Sequence, residues 1–145
     1  MKLLSNLLTI YIPTLIIVWF IIRKNKLGLN LLLVSVASVI ISVILKELFK
    51  ITGSEVTEGL QLSKYQFPSL SVQLAVTFWL YLAMQHKKTF LYFIAGLITI
   101  FVAYEKLATH QHNLLDIFGG FIFGTLVIIV FTKLIFRKPE LNAKL

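Results

Sequence analysis

The segment from Glu105 to Asp116 places five ionisable side chains within twelve residues of an otherwise apolar sequence. They are Glu105, Lys106, His110, His112 and Asp116. His112 and Asp116 are four residues apart, so on a shared helix they would lie on one face, where the carboxylate can fix the tautomer of the imidazole and stabilise its cation. A histidine held in this way can act as a nucleophile.

Two other interpretations of this cluster stay open. His112 and Asp116 could form a structural pair that caps the last helix. His110, His112 and Asp116 could bind a transition metal, although the neighbouring loops supply no other strong ligands. Because the chain contains no cysteine, thiolate metal sites and cysteine nucleophiles are excluded.

The elements that must position this cluster are membrane helices. The chain has 145 residues, of which 58% are hydrophobic and only 14% charged, a composition typical of an integral membrane protein. Charges punctuate the hydrophobic segments, so we expect one integral membrane domain over residues 1–145. The net charge of +8 does not predict nucleic-acid binding, because the basic residues lie at the ends of hydrophobic segments and form no soluble basic face.

Five hydrophobic segments predict an all-α, polytopic membrane helix bundle with about five transmembrane helices. The first, Leu3 to Ile22, is long enough to cross a hydrocarbon core of about 30 Å and ends in bulky residues, which favours a retained helix over a cleaved signal peptide. The others are Leu27 to Leu45 with a continuation to Lys50, Pro68 to about Gln85, Thr89 to about Tyr104, and Asn113 or Asp116 to Phe136. The spacing of Gly120 and Gly124 allows another helix to approach closely.

The distribution of lysine and arginine predicts the orientation of the bundle. Basic residues concentrate in the first and third loops and at the C-terminus, which assigns the C-terminus to the inside and the N-terminus to the outside. The end of the second helix, the start of the third at Pro68 and the segment 112–116 then share the outer face. We therefore expect a site on the extracytoplasmic face of the plasma membrane.

The residues expected on this face predict a phosphate site. Lys46, Lys50 and Lys106 supply cations, and Ser69 supplies a hydroxyl beside the free N–H groups of a helix start. His112 could attack phosphorus to form a phosphoenzyme that water resolves, while the cations neutralise the transition state. This chemistry requires no metal and no other cofactor.

The order and spacing of these residues resemble the type 2 phosphatidic acid phosphatase superfamily, whose membrane members carry three motifs on outer-face loops. Lys46 takes the first position of the first motif. Phe67-Pro-Ser-Leu-Ser71 occupies the Pro-Ser-Gly-His motif, and His112 to Asp116 occupies the His-xxx-Asp motif, followed by Gly120. The resemblance implies that His112 is the nucleophile and Asp116 orients it. It also implies membrane lipids as partners and a lipid phosphate, such as phosphatidate or an isoprenoid phosphate, as substrate.

The chain departs from the family pattern at several positions. Ser71 replaces the general-acid histidine, Leu70 the glycine before it, Gly53-Ser54 an Arg-Pro pair, and Glu105-Lys106 a Ser-Arg pair. Loss of a general acid costs about 10²- to 10⁴-fold in rate, with Ser71 and His110 as the remaining auxiliary candidates. Lys106 lacks the bidentate fork of arginine, and Glu105 would repel phosphate. Five spans also replace the six of typical members.

Two functions therefore follow from the sequence. One is a membrane phosphatase or phosphotransferase that acts on a lipid phosphate. The other is a catalytically impaired relative that serves as a lipid-phosphate-binding or assembly subunit. Assembly into a homo-oligomer, or with a partner membrane subunit that supplies the missing acid, is compatible with both. A pore or transporter subunit rests only on polar residues at the membrane edge.

Overall fold

A computed structural model describes residues 2–51 and 65–136, and within these residues the chain forms a bundle of five helices without strands. Helix α1 covers residues 2–22, α2 Lys26–Phe49, α3 residues 70–86, α4 Thr89–Ala108 and α5 Leu114–Phe136. Two π-helical turns interrupt the α-helical pattern, Leu7–Tyr11 in α1 and Val76–Leu80 in α3. The all-α class expected from the sequence is confirmed.

Four helices are long and apolar enough to cross a membrane. These segments are Leu3–Ile22, Lys26–Phe49, Thr89–Ala108 and Leu114–Leu134. Helix α3 is shorter, about 25 Å at roughly 1.5 Å per residue. Large apolar side chains such as Leu15 and Phe90 are exposed on the bundle, as expected where helices face lipid tails. The count of five crossings and the orientation stay predictions.

Two helix ends differ from the expectation. Helix α4 continues past Tyr104 to Ala108, so Glu105 and Lys106 lie buried in its last turns rather than in a loop. The helix can continue because the two side chains pair with each other. The second segment was expected to continue to Lys50, but α2 ends at Phe49, and Lys50 has a φ of 50° and so leaves the helical register. Most of the predicted polar loop, including Gly53-Ser54, lies outside the described residues.

Helix α3 is the centre of the bundle. Its side chains Val72, Phe78 and Tyr81 are almost fully buried. A Cβ atom on Gly120 would lie 2.8 Å from the carbonyl oxygen of Ser69, and one on Gly124 would lie 2.9 Å from that of Gln73. The close helix approach predicted at these two glycines is therefore present, and it brings the backbones of α3 and α5 into contact.

A polar stripe formed by Ser38, Gln73 and Thr77 joins α2 to α3 inside the bundle. Gln73 Nε2 donates to the carbonyl oxygen of Ser38 at 2.9 Å and to its Oγ at 3.2 Å. Thr77 Oγ1 donates to the carbonyl oxygen of Gln73 at 2.7 Å and lies 3.1 Å from Ser38 Oγ. All three residues are fully buried. Because lipid offers these groups no alternative partners, the polar stripe fixes the register of α2 against α3.

Candidate active site

Asn113 and Asp116 start helix α5 by capping each other. Asn113 Oδ1 accepts a hydrogen bond from the backbone N–H of Asp116 at 2.9 Å, and Asp116 Oδ2 accepts one from the backbone N–H of Asn113 at 3.1 Å. This is the reciprocal arrangement of a capping box, with Asn113 as the residue that precedes the helix. His112 therefore precedes the helix, which begins at Leu114, so the two side chains do not share a helical face.

His112 and Asp116 nevertheless meet. The imidazole Nδ1 lies 3.3 Å from Asp116 Oδ2, and the side chains are 14% and 1% exposed. A carboxylate at Nδ1 favours the tautomer that carries its proton there, which leaves Nε2 for chemistry. The contact is long, as catalytic hydrogen bonds often are before substrate binds. Asp116 thus caps α5 and holds the imidazole with the same oxygen.

Ser69 lies at the start of α3, against Asp116. Its backbone N–H donates to the carbonyl oxygen of Asp116 at 3.0 Å, and its side chain is fully buried. Among the described residues, Ser69 Oγ has no hydrogen-bond partner. The first N–H groups of α3 have no partner within the helix, so this corner places backbone donors beside a buried hydroxyl. Ser71 is half-buried in the first turn.

Lys46 is 7% exposed near the end of α2. Its ammonium donates to the carbonyl oxygens of Tyr65 at 2.8 Å and Gln66 at 2.9 Å, and it interacts electrostatically with the carboxylate of Asp116. These contacts use two of its three N–H donors. Lys46 therefore holds the segment that leads into α3 and stands within the electrostatic reach of the His112–Asp116 pair.

Lys106 holds the loop that carries His112. Its ammonium lies 3.3 Å from Glu105 Oε2 and donates to Gln111 Oε1 at 2.8 Å. Its carbonyl oxygen accepts hydrogen bonds from the backbone N–H groups of Gln111 at 3.1 Å and His112 at 3.3 Å. Because Glu105 is fully buried, its charge is poorly screened and offsets that of Lys106.

His110 reverses the chain at the end of α4. Its φ is 55°, and its N–H donates to the carbonyl oxygen of Leu107. The N–H of Gln111 donates to the carbonyl oxygen of Lys106. This is a Schellman motif, in which the residue after the helix adopts the left-handed conformation. The imidazole is exposed, so His110 acts here through its backbone. Within residues 2–51 and 65–136, no three histidine or acidic side chains gather as a metal site would require.

The structure gathers only part of the predicted site. The end of α2, the start of α3 and the start of α5 bring Lys46, Ser69 and the His112–Asp116 pair to one end of the bundle, and Lys106 joins them through the loop. Lys50 and His110 are exposed at its edge. Sequence reasoning named Asn113 only as a possible start of the fifth span and missed its capping role, although the spacing Asn-x-x-Asp before an apolar segment is a readable helix-start signal.

Comparisons with known proteins agree with this architecture. The family model of the PAP2 superfamily matches residues 27–140. A solved structure described as the first transmembrane PAP2 type phosphatidylglycerolphosphate phosphatase from Bacillus subtilis has a similar fold, with a TM-score of 0.74 and 22% sequence identity. The alignment covers 95% of this chain and 76% of that one. No curated protein matches. Since the family model spans most of the sequence, the chain belongs to the PAP2 superfamily, which accounts for its membrane phosphatase fold.

Proposed function

We propose that this protein removes phosphate from a lipid phosphomonoester through a phosphohistidine at His112. The observation that carries the proposal is the contact between His112 Nδ1 and the buried carboxylate of Asp116, which leaves Nε2 as the attacking atom. Phosphatidate, an isoprenoid phosphate and the phosphatidylglycerolphosphate of the related structure share the chemistry that such a site would recognise. Each carries a phosphomonoester on a lipid.

The reaction would proceed in two displacements. Nε2 of His112 attacks phosphorus, and the N–P bond forms as the bond to the lipid oxygen breaks. Asp116 stabilises the imidazolium. The negative charge on the phosphoryl oxygens is stabilised by Lys46, Lys106 and the N–H groups beside Ser69. Lys50 supplies further positive charge at the edge. Water then attacks phosphorus, which releases phosphate and restores the imidazole.

The step that this chain supports least is protonation of the leaving lipid oxygen. Ser71 is a weak acid, and His110 is exposed at the end of α4. The leaving group would take its proton from water, at a cost of about 10²- to 10⁴-fold in rate. We therefore expect slow turnover.

Orientation decides which lipids reach the site. Basic residues concentrate at the other end of the bundle, which supports an extracytoplasmic site in the plasma membrane by the positive-inside rule. The substrate would then come from the outer leaflet.

A second candidate function is favoured by the cations themselves. Lys106 already forms an ion pair with Glu105 and a hydrogen bond with Gln111. Lys46 already donates to two backbone carbonyls. A pocket whose cations are satisfied by the protein can still bind a lipid phosphate without turning it over. In that case the chain would serve as a binding or assembly subunit.

Phosphate release from purified protein in lipid nanodiscs distinguishes the two functions. The panel consists of phosphatidate, phosphatidylglycerolphosphate and an isoprenoid monophosphate, tested with wild type, His112→Ala and Asp116→Asn. We expect slow release by wild type, none by His112→Ala, and a base-stable phosphoryl group trapped only when His112 is present. Glu47→Gln, a carboxylate change on exposed α2 surface, is the matched control for Asp116→Asn.

Release that survives His112→Ala would reject the assigned nucleophile. If wild type releases no phosphate from any lipid yet is stabilised against heat by them, the binding function replaces the enzymatic one.

A further inference from the structure

A groove of about 420 Å³ lies at the end of the bundle opposite the candidate active site. The C-terminal ends of α1 and α3 and the N-terminal end of α4 form it. Its apolar lining consists of Ile16, Trp19, Phe20, Leu82, Phe90 and Leu91. Two basic residues, His86 and Lys88, complete the lining. The volume lies within the range of about 300 to 1,000 Å³ that ligand sites occupy.

Positive charge surrounds one end of this groove. The guanidinium of Arg23 lies 4.6 Å from the ring centroid of Trp19, in the wall of the groove. The ring of His86 is 6.5 Å from that of Phe20. Lys88 precedes α4, and no side chain caps that helix start, so its first N–H groups add a partial positive charge beside the lysine.

Among the described residues, negative charge lies at the other end of the bundle. The acidic residues that the structure describes, Glu47, Glu105 and Asp116, all lie at the ends of α2 and α4 and the start of α5, next to the candidate active site. Within the described chain, the groove therefore faces cations without competing carboxylates. Its charge complements a phosphate.

The apolar surface continues along α1. A second depression of about 450 Å³ shares Ile16 and Trp19 with the groove and extends to Ile12. A ligand that matches both parts has an anionic group at one end and a long apolar chain. A phospholipid has this shape.

We propose that the groove binds one anionic phospholipid. Its phosphate contacts His86, Lys88 and the start of α4, with Arg23 alongside, and one acyl chain lies along α1. Helix α3 separates this site from Ser69 by its whole length, about 25 Å. The bound lipid is thus distinct from the lipid phosphate at His112, and the proposal holds whether or not the protein is an enzyme.

Tryptophan fluorescence tests this directly, because the chain has two tryptophans and only Trp19 lines the groove. Trp79→Phe leaves Trp19 as the reporter in vesicles that contain phosphatidylglycerol or phosphatidylcholine with brominated chains. We expect phosphatidylglycerol to quench Trp19 more strongly, and each of Lys88→Gln and His86→Gln to weaken that preference by up to about fivefold. Lys133→Gln makes the same charge change on α5, at the same end of the bundle but outside the groove, and should preserve the preference for phosphatidylglycerol. Native mass spectrometry of the chain with both tryptophans provides an independent count of bound lipid.

Three results would overturn the proposal. Equal quenching by the two lipids would mean that no specific site exists. The same conclusion would follow if Lys133→Gln weakened the preference for phosphatidylglycerol as much as Lys88→Gln does. If neither lipid quenches Trp19 and the protein migrates as a dimer, a second copy covers the groove instead.

Discussion

The candidate active site has two halves that are built differently. The nucleophile half consists of His112, Asn113, Asp116 and Ser69 and is held by helix capping and by the contact between α3 and α5. The cation half consists of Lys46, Lys106 and Glu105, whose charged groups are buried. The two ammonium groups donate to oxygens of the protein, and the carboxylate of Glu105 lies 3.3 Å from Lys106 Nζ. In the first half, the contact between His112 Nδ1 and Asp116 Oδ2 leaves the other ring nitrogen, Nε2, available. In the second half, contacts with the protein occupy part of the donor capacity: Lys46 gives two of its three N–H donors to backbone carbonyls, and Lys106 donates to Gln111.

A side chain at a motif position can therefore carry structural contacts as well as the chemistry that the motif implies. The aspartate of the His-xxx-Asp motif also caps α5, so its replacement would cost stability. Lys106, where the family pattern has arginine, holds the loop through Gln111.

The largest effect is expected from a histidine at position 71, where the family pattern has its general acid. If the nucleophile half is competent and lacks only a proton donor, Ser71→His should raise the rate of phosphate release by about 10²- to 10⁴-fold. Ser71→Asn, which adds a side chain of similar reach without an acid, is the control. An unchanged rate, in a protein that remains folded, would place the defect in the cation half.

Removing the buried carboxylate tests the cation half. Glu105→Gln leaves Lys106 buried with Gln111 alone, and we expect the free energy of unfolding to fall by about 3 kcal/mol. Lipid phosphate should then raise the melting temperature more than it does in wild type, because the freed ammonium can pair with it. Thermal unfolding in detergent measures both effects, with Glu47→Gln as the exposed control. If lipid phosphate stabilises the variant no more than wild type, Lys106 does not face the pocket.

A single methyl group tests the packing under the nucleophile half. Gly120→Ala would force the backbones of α3 and α5 apart, and overpacking of this kind costs about 1 to 3 kcal/mol. Gly96→Ala is the matched change in α4, where nothing lies within 4 Å of the new Cβ. It should stabilise the helix by roughly 0.5 to 1 kcal/mol. Similar melting temperatures for the two variants would refute the close contact.

The smallest effect concerns His110. Glycine adopts its left-handed conformation without strain, so His110→Gly should raise stability by about 1 kcal/mol and leave phosphate release unchanged. Lys24→Gly, which changes another residue with positive φ after a helix, should give a similar gain in stability. A large loss of activity in His110→Gly alone would return His110 to the list of acid candidates.

Much of the fold could be predicted because apolar length and helix-start residues are local signals. The bounds of α1 and α5 follow directly from them. The end of α4 could not, because burial of the Glu105–Lys106 pair depends on the neighbouring helices. For the same reason the sequence did not reveal that Lys50 ends α2. The pairing of His112 with Asp116 could be predicted from their spacing. The way they meet, with His112 outside the helix, depends on the capping of α5 by Asn113.

The polar stripe also bears on how the protein is made. Ser38, Gln73 and Thr77 find their hydrogen-bond partners in one another, so α2 or α3 alone in lipid would expose unsatisfied groups. The two helices are therefore best inserted together, as a hairpin. The glycines that receive α3 belong to α5, so the site can close only after α5 has been synthesised. A chain truncated before α5 should remain an incomplete hairpin assembly, a target for membrane quality control.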